Sequence, residues 1–115
     1  MDPYFHGTMQ VIHHHIYEYE KGLRDLILHT ARKNLRETVA DILEKKNIAY
    51  FISPAGENNI NIFFGNKLCI DVIKAIGKEN LAEYTDEEDF ILGTMLGYCR
   101  LKQCRRYLER RGPGC

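Results

Sequence analysis

The chain has 115 residues, 44% of them hydrophobic, which suits one domain built on its own core. Sixteen Lys and Arg balance sixteen Asp and Glu, so no global field draws it to nucleic acid or to an acidic membrane surface. No apolar run approaches the roughly 20 residues of a membrane span, and the start MDPYFHGTMQ lacks the basic flank and apolar stretch of a secretory leader.

In chain order, Pro3 and Gly7 discourage regular structure, so residues 1–9 are expected as a loose arm. VIHHHIYEYEKGLRD then admits two readings. As a strand, Val11, His13, His15 and Tyr17 share a face. As a helix, Ile12, Ile16, Tyr19 and Leu23 line up, with Gly22 near the end. The helical register collects the aliphatics better. Leu26-Ile-Leu-His-Thr30 is short and apolar, which predicts a strand. Asn34 is placed to open a helix, with Glu37 reaching back, and Leu35, Val39, Ile42 and Leu43 on one face. Asn47 tolerates the left-handed stop.

Two runs of period two follow, Ile48/Tyr50/Ile52 and Ile60/Ile62/Phe64, joined by the turn-rich Pro54–Asn59; together they predict a hairpin. Gly65-Asn66 leads into a helix over 67–76, with Cys69, Val72, Ile73 and Ile76 on one face and Gly77 as its stop. Leu81–Tyr84 can form one helical turn. Thr85-Asp-Glu-Glu88 is a capping-box signature, and the basic run RLKQCRRYLERR suits the negative end of a helix that Gly112-Pro113 terminates. The span 85–111 therefore predicts one helix of about seven turns, unusually long for so small a chain. Residues 112–115 are expected as a loose tail.

HHHIYEYEKGLRDLILHT, followed by IAYFISPAGENNINIFFG, resembles a small family of uncharacterised bacterial proteins, known as domain of unknown function number two thousand and twenty-three. The resemblance spans roughly residues 10 to 110. It implies an α+β domain of three strands and several helices, assembled as a homodimer, and it favours the helical reading at 13–22. It carries over no catalytic or ligand residue.

The expected fold class is thus α+β, in the order β-α-β-β-α, with helices packed on a three-stranded sheet and a long C-terminal helix. A right-handed crossover makes the first two strands parallel. The hairpin makes the third antiparallel to both, and placing it between them gives the sheet order 1-3-2, a truncated ferredoxin-like arrangement. It leaves the first strand's edge open.

Chemistry-bearing groups are sparse. Three adjacent histidines on a helix diverge by roughly 100° each and cannot converge on one ion. On a strand, His13 and His15 would share a face, and with His29 they are the weak metal candidates. Surface or capping histidines, with His14 beside Glu18, are the plainer alternative. Cysteines at 69, 99, 104 and 115 match neither a disulfide framework nor a zinc spacing, so reduced thiols and a cytoplasmic setting are expected. Cys69 and Cys99 are read as small apolar packing residues. Ser53 lacks the context of a nucleophile. No cofactor is expected, and nothing argues for an enzyme.

The basic C-terminal run, interleaved with Tyr98 and Tyr107, is the best nucleic-acid cue, but acids on the same helix balance it. Gly93 and Gly97 in ILGTMLGYC each cost a helix interior about 1 kcal/mol. At i, i+4 they would form a smooth groove flanked by Met95 and Leu96, where a second subunit or an internal element could approach. The expectation is a homodimeric interaction or regulatory module without catalysis. A metal- or thiol-dependent redox accessory protein and a nucleic-acid binder are the alternatives.

Overall fold

A computed structural model describes residues 3–112. It runs α1 (Phe5–Glu20), β1 (Leu26–Arg32), α2 (Arg36–Lys45), β2 (Ala49–Ala55), β3 (Asn59–Gly65), α3 (Lys67–Ile76), α4 (Asp86–Met95) and α5 (Arg100–Arg111). The strands form one sheet of order β1-β3-β2, and both pairs are antiparallel. β3 is the centre: Phe64 faces Ile27 and Tyr50, and Phe63 faces Leu28 and Phe51. The α+β class, the β-α-β-β-α order and the central third strand are as the sequence predicts.

Each side of the sheet is covered, because β3 places Ile60, Ile62 and Phe64 on one face and Phe63 on the other. Ile60, Ile62 and Phe64 pack with Ile12 and Ile16 of α1 and with Val39 and Leu43 of α2. Phe63 points the other way, into Ile70 and Ile73 of α3, Leu92 of α4 and Leu96 just beyond it. On that same face, two residues along each strand, lies a polar row. The Thr30 hydroxyl donates to Asn61 Oδ1 at 2.7 Å, and across the strand from Asn61 stands buried Ser53.

Several local signals are read correctly. Asn66 accepts from the Leu68 N–H and Gly77 closes α3 in the left-handed region. Asn47 has φ 56°. Thr85 and Glu88 form the complete capping box.

Others need correction. The arm expected over residues 1–9 is helical from Phe5, because Met9 and Ile12 reach the first cluster and draw that turn down with them. Residues 11–20 are helix, so His13 and His15 do not share a strand face. Asn34 does not cap α2; it lies in a 3₁₀ turn over Lys33–Leu35, and α2 begins without a side-chain cap. Leu35 is buried there, and seating it sets how the chain enters the helix. In α3 the buried pair is Ile70 and Ile73, while Val72 is exposed, so the helix is rolled from the expected face. Pro54 and Ala55 belong to β2, and the hairpin turns in three residues, 56–58. Residues 113–115 of the expected tail lie outside the described residues.

The largest departure is at the C-terminus. The expected seven-turn helix is two antiparallel helices, α4 and α5. At the break the Tyr98 N–H donates to the Gly93 carbonyl and the Gly97 N–H to that of Thr94, a Schellman stop with Gly97 at φ 83°.

Candidate functional site

Two places gather functional groups, and they lie on different elements. The first is the seam between α1 and β1. There, His15 and His29 come together with ring centroids 5.8 Å apart. His15 Nδ1 donates to Glu18 Oε1 across 3.1 Å, and the Arg24 guanidinium lies 3.8 Å from the same carboxylate. His14 is 3.7 Å from that oxygen and stacks on Tyr17. His13 stands apart from this cluster, exposed on α1. Of the three metal candidates, the fold therefore joins His15 and His29 and leaves His13 out. Among the described residues no three His, Cys, Asp or Glu side chains are grouped as a metal ion requires.

The electrostatics of this seam have clear causes. The hydrogen bond from His15 lowers the Glu18 pKa, helped by the charges of His14 and Arg24. Burial, then the neighbouring His15, lowers that of His29 below the usual value of 6.5. A lowered folded pKa means that the unfolded chain takes up the proton first. Stability is then fully present above about pH 6.5 and falls as the pH drops towards the folded value. The urea midpoint of the wild type is expected to decline as the pH falls below about 6.5, and that of His29→Asn to decline less. Equal slopes would assign the titration to another group.

The second place is the α4–α5 hairpin. Arg106 grips Asp89 with two hydrogen bonds, of 2.8 and 3.1 Å. Arg110 reaches Asp86 and Asp89 at 3.1 and 3.0 Å, and Glu87 accepts from Arg111 and from the Tyr107 hydroxyl. Hydrogen bonding to Arg106 chiefly holds the Asp89 carboxyl below its ordinary range. Three of the basic side chains in RLKQCRRYLERR are thus committed to α4. The acids sit at the positive end of α4 and their partners at the negative end of α5, so the helix dipoles add to each pairing.

Gly93 and Gly97 do not form a groove. Gly93 is covered by Gln103 of α5, whose side-chain amide fills the space a Cβ would occupy, and Gly97 has left the helix. Leu96 is buried in the second cluster and Met95 packs beside it. Gly93, Leu96 and Met95 therefore meet elements of their own chain, whereas Gly97 is exposed, with nothing within 4 Å of where a Cβ would stand.

What the hairpin leaves open is its outer side. α5 buries none of its side chains, and Leu101 and Leu108 are 77% and 66% exposed. Together with Phe90, Ile91, Cys104 and Tyr107, Leu108 lines an apolar groove of about 450 Å³. The spacing 101, 104, 108 was legible in the sequence, but the basic residues around it drew the reading towards charge.

Residues 10–110 match the family described as a protein of unknown function, DUF2023. The chain belongs to that family. The matched span takes in every strand and all of the helices except the first five residues of α1 and the last residue of α5. No curated protein matches the chain.

The described cysteines of this family member differ in their surroundings. Burial, with the charge of Asp25, raises the Cys69 pKa, so that group stays protonated and weakly nucleophilic. Cys99 and Cys104 are exposed, which corrects the packing role expected of Cys99. Cys115 lies outside the described residues. No described helix is long and apolar enough to cross a membrane.

Proposed function

We propose that this chain is a cytoplasmic interaction module without catalysis, and that it pairs with a second copy of itself through the outer side of the α4–α5 hairpin. The observation that carries this reading is α5, a helix with an apolar stripe and no buried side chain. An amphipathic helix held to its own chain by charged, aromatic and Gln103 contacts at one side has its apolar stripe left to place elsewhere. Two hairpins laid together would form a four-helix arrangement around that stripe, and a chain of zero net charge meets its copy without long-range repulsion. The interface thereby moves from Gly93, Met95, Leu96 and Gly97 to Ile91, Leu101, Cys104 and Leu108.

The magnitudes permit it. Burying a leucine side chain contributes about 1.5–3 kcal/mol, and a two-fold interface counts Leu101 and Leu108 twice. The resulting ~6–12 kcal/mol is of the same size as an association cost of ~4–15 kcal/mol, so a micromolar dimer draws the rest of its affinity from Ile91, Tyr107 and the rim. Leu108→Glu puts two charges into that contact and is expected to raise the dissociation constant at least ~100-fold, with helix content kept. Sedimentation velocity of wild type and variant decides it. A monomeric wild type at about 100 μM overturns the reading, since a micromolar dimer would be nearly complete there.

A further inference from the structure

β2 is an edge strand with a cleft along it. Its inner side pairs with β3 from Ala49 to Ala55, and its outer side pairs with no strand among the described residues. α2 packs on the face that carries Tyr50 and Ile52, and α3 on the face that carries Ala49 and Phe51. Between the helices a cleft of about 630 Å³ runs along residues 48–52, which leaves the side chains of 49–52 half-buried. β1, the opposite edge, presents His29, Thr30 and Arg32.

The backbone of this edge is in order for pairing. Proline is tolerated in a strand where its nitrogen faces away from the neighbouring strand, which places the open side of β2 at Pro54. Alternation then puts the N–H and C=O groups of Ile52 and Tyr50 on that same side. The cleft lining itself is mainly basic. Arg36, Lys67 and Lys74 line it with one acid, Asp71, which Lys67 takes at 2.8 Å; beside the cleft Glu44 is occupied by the Tyr50 hydroxyl, and Asp41 lies near the same ring. Arg36 and Lys74 make no ion pair among the described residues.

We propose that the β2 edge is a binding site for an extended, acidic peptide segment of a partner protein, which adds to the sheet as a fourth strand. A row of alternating donors and acceptors is satisfied by another backbone, whereas a phosphate or a carboxylate alone supplies acceptors only. The half-buried apolar side chains of β2 offer contacts to alternate residues of the incoming strand on each face. Arg36 and Lys74 select for acids and speed the encounter. A second copy is the poorer occupant, because two-fold pairing of this edge sets the same basic rim against itself.

The test uses ¹⁵N-labelled full-length protein and a terminally blocked octapeptide of alternating valine and glutamate. Shifts confined to amides of residues 49–53 are expected, with slowed hydrogen exchange at Tyr50 and Ile52. The exposed double variant Arg36→Glu with Lys74→Glu should weaken binding at least about tenfold while keeping its circular dichroism. A valine–lysine peptide and a backbone N-methylated valine–glutamate peptide should not bind, the second because it lacks the donors a strand needs. Leu108→Glu should bind as the wild type does, which keeps this site's fate separate from that of the hairpin. No binding, shifts that map elsewhere, or equal binding of the N-methylated peptide would overturn the proposal. So would broadening of the residue 49–53 amides with protein concentration alone, which assigns the edge to a second copy.

Discussion

Gly65→Ala is expected to be among the most damaging single substitutions in this protein, lowering stability by about 2–6 kcal/mol. Gly65 ends the central strand with φ 146°, a region that side chains rarely adopt, and it pairs with Leu26 on one side and Ala49 on the other. An added Cβ would overlap the carbonyl oxygen of Asp25. That carbonyl cannot retreat cheaply, since it accepts the Asn66 N–H at 2.8 Å and so ties the entry of β1 to the exit of β3. Backbone strain of about 1–3 kcal/mol and overpacking of about 1–3 kcal/mol therefore fall on one residue. Domains of this size have about 5–15 kcal/mol in total, so the variant should be partly unfolded near body temperature. Gly93→Ala is the control. There the overlap is with the flexible end of Gln103, and helix propensity gains up to about 1 kcal/mol, so its urea midpoint should move little. Equal midpoints for the two variants would refute the distinction between a backbone and a side-chain obstacle.

Phe63→Ala and Phe64→Ala should each cost about 3–5 kcal/mol, and by similar amounts. Neighbours on a strand point to opposite faces, so in a sheet with one wet face one of the two would be nearly neutral. Here they are 1% and 0% exposed, Phe63 among Ile70, Ile73 and Leu92, Phe64 among Ile12, Val39 and Leu43. Their clusters lie on different sides of the sheet and share no side chain, so the double variant should be close to additive. Urea unfolding of the two single variants tests this directly. A loss below about 1 kcal/mol at either position would mean that its face is open to water.

The charge pattern of residues 85–111 shows how one signal can support two structures. Acids at the start and bases at the end fit the dipole of one long helix. They fit equally a hairpin in which the two ends lie side by side, as Asp89 with Arg106 and Glu87 with Tyr107 do. Gly97 decides between them. A glycine inside a continuous helix loses about 1 kcal/mol, whereas at a left-handed stop it is the preferred residue, and the following turn frees α5 to pair with α4. The same ambiguity hid the apolar stripe of α5, because six basic residues in twelve dominate its composition.

By itself the sequence determined what depends on neighbours a few residues away or on chain chirality. Those features are the period-two strands, the helix start after Gly65-Asn66, the Thr85 cap, the left-handed Asn47 and Gly77, and the parallel first two strands that a right-handed crossover gives. Each is decided by local hydrogen bonds, steric limits on φ, or connection rules, whose energies are present in the segment alone. Tertiary structure decided the early start of α1, the roll of α3 onto Ile70, the 3₁₀ entry at Leu35, the meeting of His15 with His29 and the fold-back of α5. For α1, α3 and the entry at Leu35 the competing local conformations differ by about a kilocalorie or less, and the burial of Met9, Ile70 or Leu35 against a distant surface outweighs that difference. The fold-back of α5, which buries no side chain, follows instead from the stop at Gly97 and the ion pairs to α4.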